Sequence, residues 1–307
     1  IASFIEQGCW ADIVVPDLMS THGAWLSLFS GIPRLEHGYF FHRQLKPGTY
    51  EFQNISPSDT GVQPFWSHLG RSSKKVAIVD ALEANVQTNL PGIQLVNWAI
   101  QKPFNTAVAP ISFEPATLLS EVDRIVGEIP PIDVFNSDSS ASEDLVDYHR
   151  LMDRVEQKGT LCRHLLKRER YDLAVITFVE AHTAAHRLWD YRPGGMRFNS
   201  TTSEGCELSI GIRNVYQAVD REIGRLLKQF PEKPNCVVLS LFGMKDLQAT
   251  RGLIESFCRR LGYQVEPPGK MNGLAPLALA RQVIPRKWRS RLSQFFPLQL
   301  QQRLQSQ

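Results

Sequence analysis

The residues whose types and spacing suit chemistry lie in one stretch, DLAVITFVEAHTAAHRLWDY. An apolar run from Leu173 to Val179 leads through Glu180 into two histidines four residues apart, His182 and His186. An uninterrupted apolar run reads as a buried parallel strand, and open α/β sheets gather ligands beyond the carboxyl ends of such strands. A turn of helix at that end sets both imidazoles on one face. Such a pair can serve a metal, a phosphate group or a proton transfer. It can equally hold the rim of the sheet by bonding to loops, since histidine is often partly buried.

A second candidate lies near the start, in DLMSTHGAWLSLFSGIPRLEHGYFF. Asp17, Ser20 or Thr21 can cap a helix carrying Trp25, Leu26, Leu28 and Phe29 inward, with Gly31 and Pro33 as its stop. The first amide hydrogens of a helix are unpaired and favour anions, so Thr21 and His22 fall at an anion-favouring end. The competing reading is an N-cap threonine beside a surface histidine. Further on, KKVAIVDA reads as a strand ending at Asp80, and GIQLVNWAIQ as another ending at Asn97 and Trp98. Polar residues at strand ends suit substrate contacts, although Asp80 also suits a loop cap. The aromatic and polar stretch 39–60, with Tyr39, Phe40, Phe41 and His42, reads as a loop or hairpin over the site that would favour a partly apolar small-molecule substrate.

The elements that must position these residues follow an α/β rhythm. A short helix and a strand from Ala11 to Val15 open the chain, and GVQPFWSHLGRSS reads as a helix. Residues 103–143, rich in proline, serine and aspartate, form a pocket-shaping excursion with a helix between Ala116 and Gly127. A charged amphipathic helix, 143–170, carries Leu145, Leu151, Val155, Leu161 and Leu165 at helical spacing and leads straight into the key strand. After a polar loop comes a long helix, about 207–229. NCVVLSLFGM then supplies a buried strand, and LIESFCRRLGY and a short strand around Val265 complete the pattern. Helix alternating with strand predicts a three-layer α/β sandwich with a central, mostly parallel sheet. That domain spans 1–269. Residues 270–307 form a basic tail without acidic residues, fit to dock on the core, on a protein partner or on a membrane surface.

Composition narrows the class. The 307 residues are 43% apolar and carry a net charge of +3 with both signs interspersed, which suits a globular protein and argues against nucleic-acid binding by the whole molecule. Only RKWRSR in the tail resembles a nucleic-acid patch. The five cysteines are widely spaced and form no CxxC pair, so free thiols and a reducing, cytoplasmic setting are expected. No run approaches the roughly 20 apolar residues of a membrane span. The opening lacks a methionine and a polar leader, as a domain cut from a longer chain would.

Taken together, these stretches resemble the alkaline phosphatase superfamily, in particular its type I phosphodiesterase and nucleotide pyrophosphatase branch. STHGAWLSLFSGIPRLEHG is similar to that family's threonine-bearing helix and its Thr-Gly, Pro and His-Gly landmarks. DLAVITFVEAHTAAHRLWDY resembles the strand that ends in a metal-binding loop. NVYQAVDREIGRLL is similar to the helix before the last metal strand, and VVLSLFGMKD to that strand with its Asp-His-Gly-Met signature. The resemblance implies an alkaline phosphatase-like fold and a hydrolase or transferase of phosphodiesterase or sulfatase type. There, two zinc or similar ions activate a threonine or serine and neutralise the oxygens of a phosphoryl or sulfuryl group.

By the resemblance, Thr21 stands at the nucleophile and His186 at a metal histidine. His182 stands where the family usually has aspartate. Leu241 and Phe242 replace the Asp and His of the last signature, and no histidine follows His186 to act as the late ligand. Ala24 takes the place of an asparagine that helps hold the phosphoryl oxygen, and the first metal aspartate would precede Ile1. Leucine and phenylalanine side chains cannot bind zinc, so the standard two-metal site is not expected. What remains is either no metal or a single divalent ion such as zinc on His182, His186 and one carboxylate, Glu180 or Asp80. Two functions compete. One is an enzyme using Thr21, His22, His182 and His186 with histidine as general acid or base. The other is a non-catalytic homologue, its pocket filled by Phe242, acting as a binding or assembly subunit through the tail.

Overall fold

The framework of the molecule is a sheet built from the apolar runs read above. A computed structural model describes residues 1–14, 22–98, 109–127, 132, 139–246 and 253–264. Thr21, the 269/270 boundary, the strand around Val265, the tail 270–307 and, within the 103–143 excursion, residues 103–108, 128–131 and 133–138 lie outside the described residues. The chain divides into two units, Ile1–Met244 and Lys245–Gln307.

The first unit begins with helix α1, Ala2–Gln7. Residues 11–14 carry no strand, contrary to expectation. Helix α2, Ala24–Ser30, buries Leu26 and Phe29 and ends at Gly31, and the short α3, Arg34–His37, follows. Strands β1, Arg43–Leu45, and β2, Phe52–Asn54, pair antiparallel, so the aromatic stretch is a hairpin. The helix expected in GVQPFWSHLGRSS is a 3-10 helix, Phe65–Ser72, and it buries Trp66.

Strand β3, Val76–Ala81, is buried at every position, as its apolar run requires. Beside it lies β4, Gly92–Val96, parallel, and beyond that the short antiparallel β5, Ser112–Glu114. Helices α4, Leu118–Val126, and α5, Ala141–Leu166, lead to β6, Leu173–Ile176, which pairs parallel with the other side of β3. The order is β5-β4-β3-β6. The sheet is therefore mixed rather than uniformly parallel, because β5 runs against β4.

Helical elements flank both faces of the sheet. Ala77, Val79, Ile93 and Leu95 pack with Leu118 and Val122 of α4 and Leu161, Cys162 and Leu165 of α5. Val76 and Ile78 pack with Phe29 and Trp66. Helix α5 starts at a capping box, in which Ser140 and Glu143 satisfy each other's backbone amides. After β6 come α6, Glu180–Leu188, then α7, Ser203–Ser209, and α8, Gly211–Leu227. The single helix expected over 207–229 is thus two helices meeting at Ile210.

Residues 235–246 form no strand, which corrects the expected strand at NCVVLSLFGM. Val237 is 78% and Leu239 53% exposed. Strand propensity expresses how side chains fit a pleated, half-buried surface, and among the described residues no neighbouring ladder supplies one here. Phe242 is partly buried and, among the described residues, belongs to none of the buried clusters of this unit. Of the second unit, helix α9, Leu253–Arg260, is described.

Candidate functional site

A break in alternation at the end of β3 shapes the site. The register shifts between Val79 and Ala81, so Asp80 is the extra residue of a bulge, and its φ is 61°. Aspartate tolerates this left-handed conformation better than most residues. Without the bulge, Asp80 would share the face of Val76 and Ile78. With it, Ala81 takes that face and packs with them, while Asp80 turns to the α5 side. The loop 82–91 that follows is pinned from β4. Gln94 exchanges two hydrogen bonds with the backbone of Gln87, both 2.8 Å, and Asn97 Nδ2 donates to the carbonyls of Ala84 and Pro110 at 2.9 and 3.1 Å. Asn97, at φ 58°, is thus a loop holder.

The pinned loop presents Glu83, buried and also at positive φ, to the start of α2. One carboxylate oxygen meets His22 Nδ1 in a short hydrogen bond, and the other accepts the amide of Gly23 at 3.1 Å. Gly23 cannot readily be another residue. Its φ is 73°, and a Cβ there would stand 2.0 Å from the carbonyl oxygen of Tyr39. Around His22 lie Phe41, ring centres 4.8 Å apart, and His42, 5.3 Å. A carboxylate on Nδ1 fixes the His22 tautomer with Nε2 as the basic nitrogen.

Tyr39 and His42, both expected to touch substrate, are buried. Burial, reinforced by Glu83, raises the Tyr39 phenol above its ordinary value. Burial first, then repulsion from His22, pushes His42 down to about 4 against the pull of Glu83. The face left exposed to solvent is that of Phe40 and Phe41. His37, nearby, is a structural histidine: its Nδ1 accepts the Tyr39 amide at 3.1 Å, and its Nε2 lies 2.9 Å from Ser27 Oγ.

The helical spacing of the second pair has the expected effect. On α6 the Nε2 atoms of His182 and His186 are 3.1 Å apart, with the rings edge to face at 4.5 Å. His182 is half-buried and His186 exposed. Burial and the neighbouring imidazole push His182 down to about 4, so at neutral pH it is uncharged. Each ring then offers one N–H and one acceptor nitrogen.

Glu180, at the start of the same helix, does not join them. It is fully buried and turned to Lys158 Nζ, which lies 2.9 and 3.0 Å from its two oxygens. Lys158 also reaches Asp80 Oδ2 at 2.5 Å and the Thr177 carbonyl at 3.1 Å, with Phe178 and Trp98 rings 5.6 and 6.0 Å away. Arg154 Nε stands 3.9 Å from Glu180. Burial alone would lower the Lys158 ammonium, but Asp80 and Glu180 outweigh it and raise it.

Among the described residues no group of three or more His, Cys, Asp or Glu is placed to hold a metal, and His182, His186 and Glu180 are not gathered into one. Asp80 and Trp98, expected to meet substrate, belong to the surroundings of Lys158. The donor set also fails on chemistry, since the carboxylates at this edge already have a cation. Lys158 and Arg154 were not singled out in the sequence, although the signal was present. Both fall on the inward face of α5, among Leu151, Val155, Leu161, Cys162 and Leu165, where a charged residue is unusual unless paired.

The candidates therefore form three groups: His22 with Glu83 and His42, His182 with His186, and Asp80, Glu180 and Trp98 around Lys158. A depression lined by His37, Gly38, Gln53, Asn54, Ile55, Asp59 and Thr60 contains none of them. All five cysteines are free thiols. No described helix is long and apolar enough to cross a membrane. Comparison with protein families matches residues 1–287 to the model for type I phosphodiesterase / nucleotide pyrophosphatase. No curated protein and no solved structure matches.

Proposed function

This chain belongs to the type I phosphodiesterase / nucleotide pyrophosphatase family, a family of hydrolases, and from that premise we propose that it cleaves or transfers an ester, phosphate or sulfate group without the dinuclear metal site. The observation that carries the reading is the His22–Glu83 pair, one residue along the chain from Thr21. In this reading the sheet and its helices are the alkaline phosphatase-like three-layer sandwich. Thr21 is the nucleophile, or the hydroxyl that positions substrate. Glu83 holds the His22 Nδ1–H and stabilises the imidazolium, so Nε2 takes a proton during attack and returns it to the leaving group. The neutral His182–His186 pair donates N–H to an oxygen of the transferred group. Phe40 and Phe41 receive an apolar part of a small-molecule substrate, and the free thiols accord with a cytoplasmic setting.

The test is a screen of phosphate mono- and diesters, sulfate esters and carboxylate esters with EDTA present. Turnover should persist in EDTA. Glu83→Gln should lower kcat by about 10²–10⁴-fold, the range for a general base and its orienting carboxylate, and His22→Ala should do at least as much. Activity that EDTA abolishes, or that both variants retain, would overturn the reading.

The alternative, a non-catalytic binding or assembly subunit, draws support from the burial of Tyr39 and His42 and the neutralisation of Asp80 and Glu180. It predicts no turnover on any ester in the screen, and a protein partner lost on removal of residues 270–307.

A further inference from the structure

Four oxygens from three places in the chain surround one point at the carboxyl edge of the sheet. Asp80 Oδ2 comes from the β3 bulge, the Thr177 carbonyl from the end of β6, and both Glu180 oxygens from the first residue of α6. They lie 2.5, 3.1, 3.0 and 2.9 Å from Lys158 Nζ, and Asp80, Lys158 and Glu180 are all fully buried. Carboxylates plus a backbone carbonyl form the oxygen set that hard divalent ions take, at about 2.0–2.6 Å. Here a side chain supplies the cation. Its three protons match three acceptor groups, and with Arg154 the two carboxylates are balanced by two cations.

The arrangement also explains why neither Asp80 nor Glu180 completes a metal set with His182 and His186. An ion placed between Asp80 and Glu180 would have to displace a buried ammonium. We propose that Lys158 is the resident cation of this sheet edge, an intrinsic replacement for a bound metal ion that neutralises Asp80 and Glu180 and fixes the start of the helix bearing His182 and His186. The proposal does not depend on the catalytic reading, because its readouts are metal binding and stability. It requires that removing the ammonium open a divalent-cation site that wild type lacks.

The experiment is Mn²⁺ binding by electron paramagnetic resonance, with thermal melting of the same samples, on the full chain. The wild-type melting temperature should be unchanged by EDTA, and wild type should bind Mn²⁺ only at background. Lys158→Ala should melt lower and take up about one Mn²⁺ per chain above wild type, regaining about half or more of the lost melting temperature in a saturable manner. Adding Asp80→Asn or Glu180→Gln should abolish that uptake. Equal Mn²⁺ uptake by wild type and Lys158→Ala, a wild-type melting temperature lowered by EDTA, or a Lys158→Ala protein as stable as wild type would overturn the proposal. Should Lys158→Ala fail to fold, the triple variant Lys158→Met, Asp80→Asn, Glu180→Gln decides. A folded triple variant supports charge neutralisation as the role, since a buried ion set can be replaced as a whole but not in part. An unfolded one refutes it.

Discussion

Gly23→Ala tests the site at its most constrained point. Gly23 links His22 to α2, gives its amide to Glu83, and accepts the amide of Ser27 at 2.9 Å through its carbonyl. Alanine pays twice there. A non-glycine residue held at φ 73° costs about 1–2 kcal/mol. Its Cβ, 2.0 Å from the Tyr39 carbonyl oxygen, forces a backbone displacement of about 1 Å or more against a residue that is 1% exposed. Overpacking of that kind costs about 1–3 kcal/mol. The sum, about 2–5 kcal/mol, is a large share of ordinary stability. Gly31→Ala is the internal control: its φ is also 73°, but its Cβ meets nothing within 4 Å, so it pays only for conformation. Urea unfolding of the three proteins, with constant m-values, measures both terms. The His22 imidazole resonances report whether the Glu83 bond survives. Equal losses for Gly23→Ala and Gly31→Ala, with His22 unchanged, would refute the close approach and with it the described seating of His22.

Acidification should destabilise the protein in part through His42. Its folded-state proton affinity lies at about 4 against an ordinary 6.5, so the unfolded chain binds the proton first, and stability falls as pH drops from about 6.5 toward 4. Among the groups facing it are His22, Phe41, Arg43 and Glu83. At about 1.4 kcal/mol per tenfold change in affinity, the effect reaches about 3 kcal/mol. His42→Gln should flatten the loss between pH 7 and 4.5 by about 2–3 kcal/mol in urea unfolding; parallel pH curves would contradict it. At the start of α5, Ser140→Ala should cost about 0.5–2 kcal/mol through loss of the capping box, while Ser140→Asp should restore most of it; equal stability of all three would show that the cap contributes nothing.

The parts of this protein that one residue's neighbours in sequence can specify were legible before the fold was known. Val76–Ala81 and Gly92–Val96 read as strands because an apolar run flanked by polar residues has few other uses, and α5 read as a helix because Leu151, Val155, Leu161 and Leu165 repeat on one face. The His182–His186 contact followed from helical geometry alone, since residues four apart share a face wherever a helix forms. What the sequence left open concerns groups brought together from far apart. The bulge that turns Asp80 toward α5 depends on the register between β3 and β4, which a single strand's pattern does not contain. Glu83, sixty-one residues from His22, became its partner only through the loop that Gln94 and Asn97 pin. Segment 236–242 shows the converse, an apolar run with the composition of a strand but no ladder beside it among the described residues. Lys158 marks the division most sharply. A lysine on an apolar stripe reveals from sequence that it must be paired, because an unpaired buried charge is too costly to keep. Which carboxylates pair with it is decided by tertiary structure, because only the packing of α5 across the carboxyl edge of the sheet brings Asp80 and Glu180 to one ammonium.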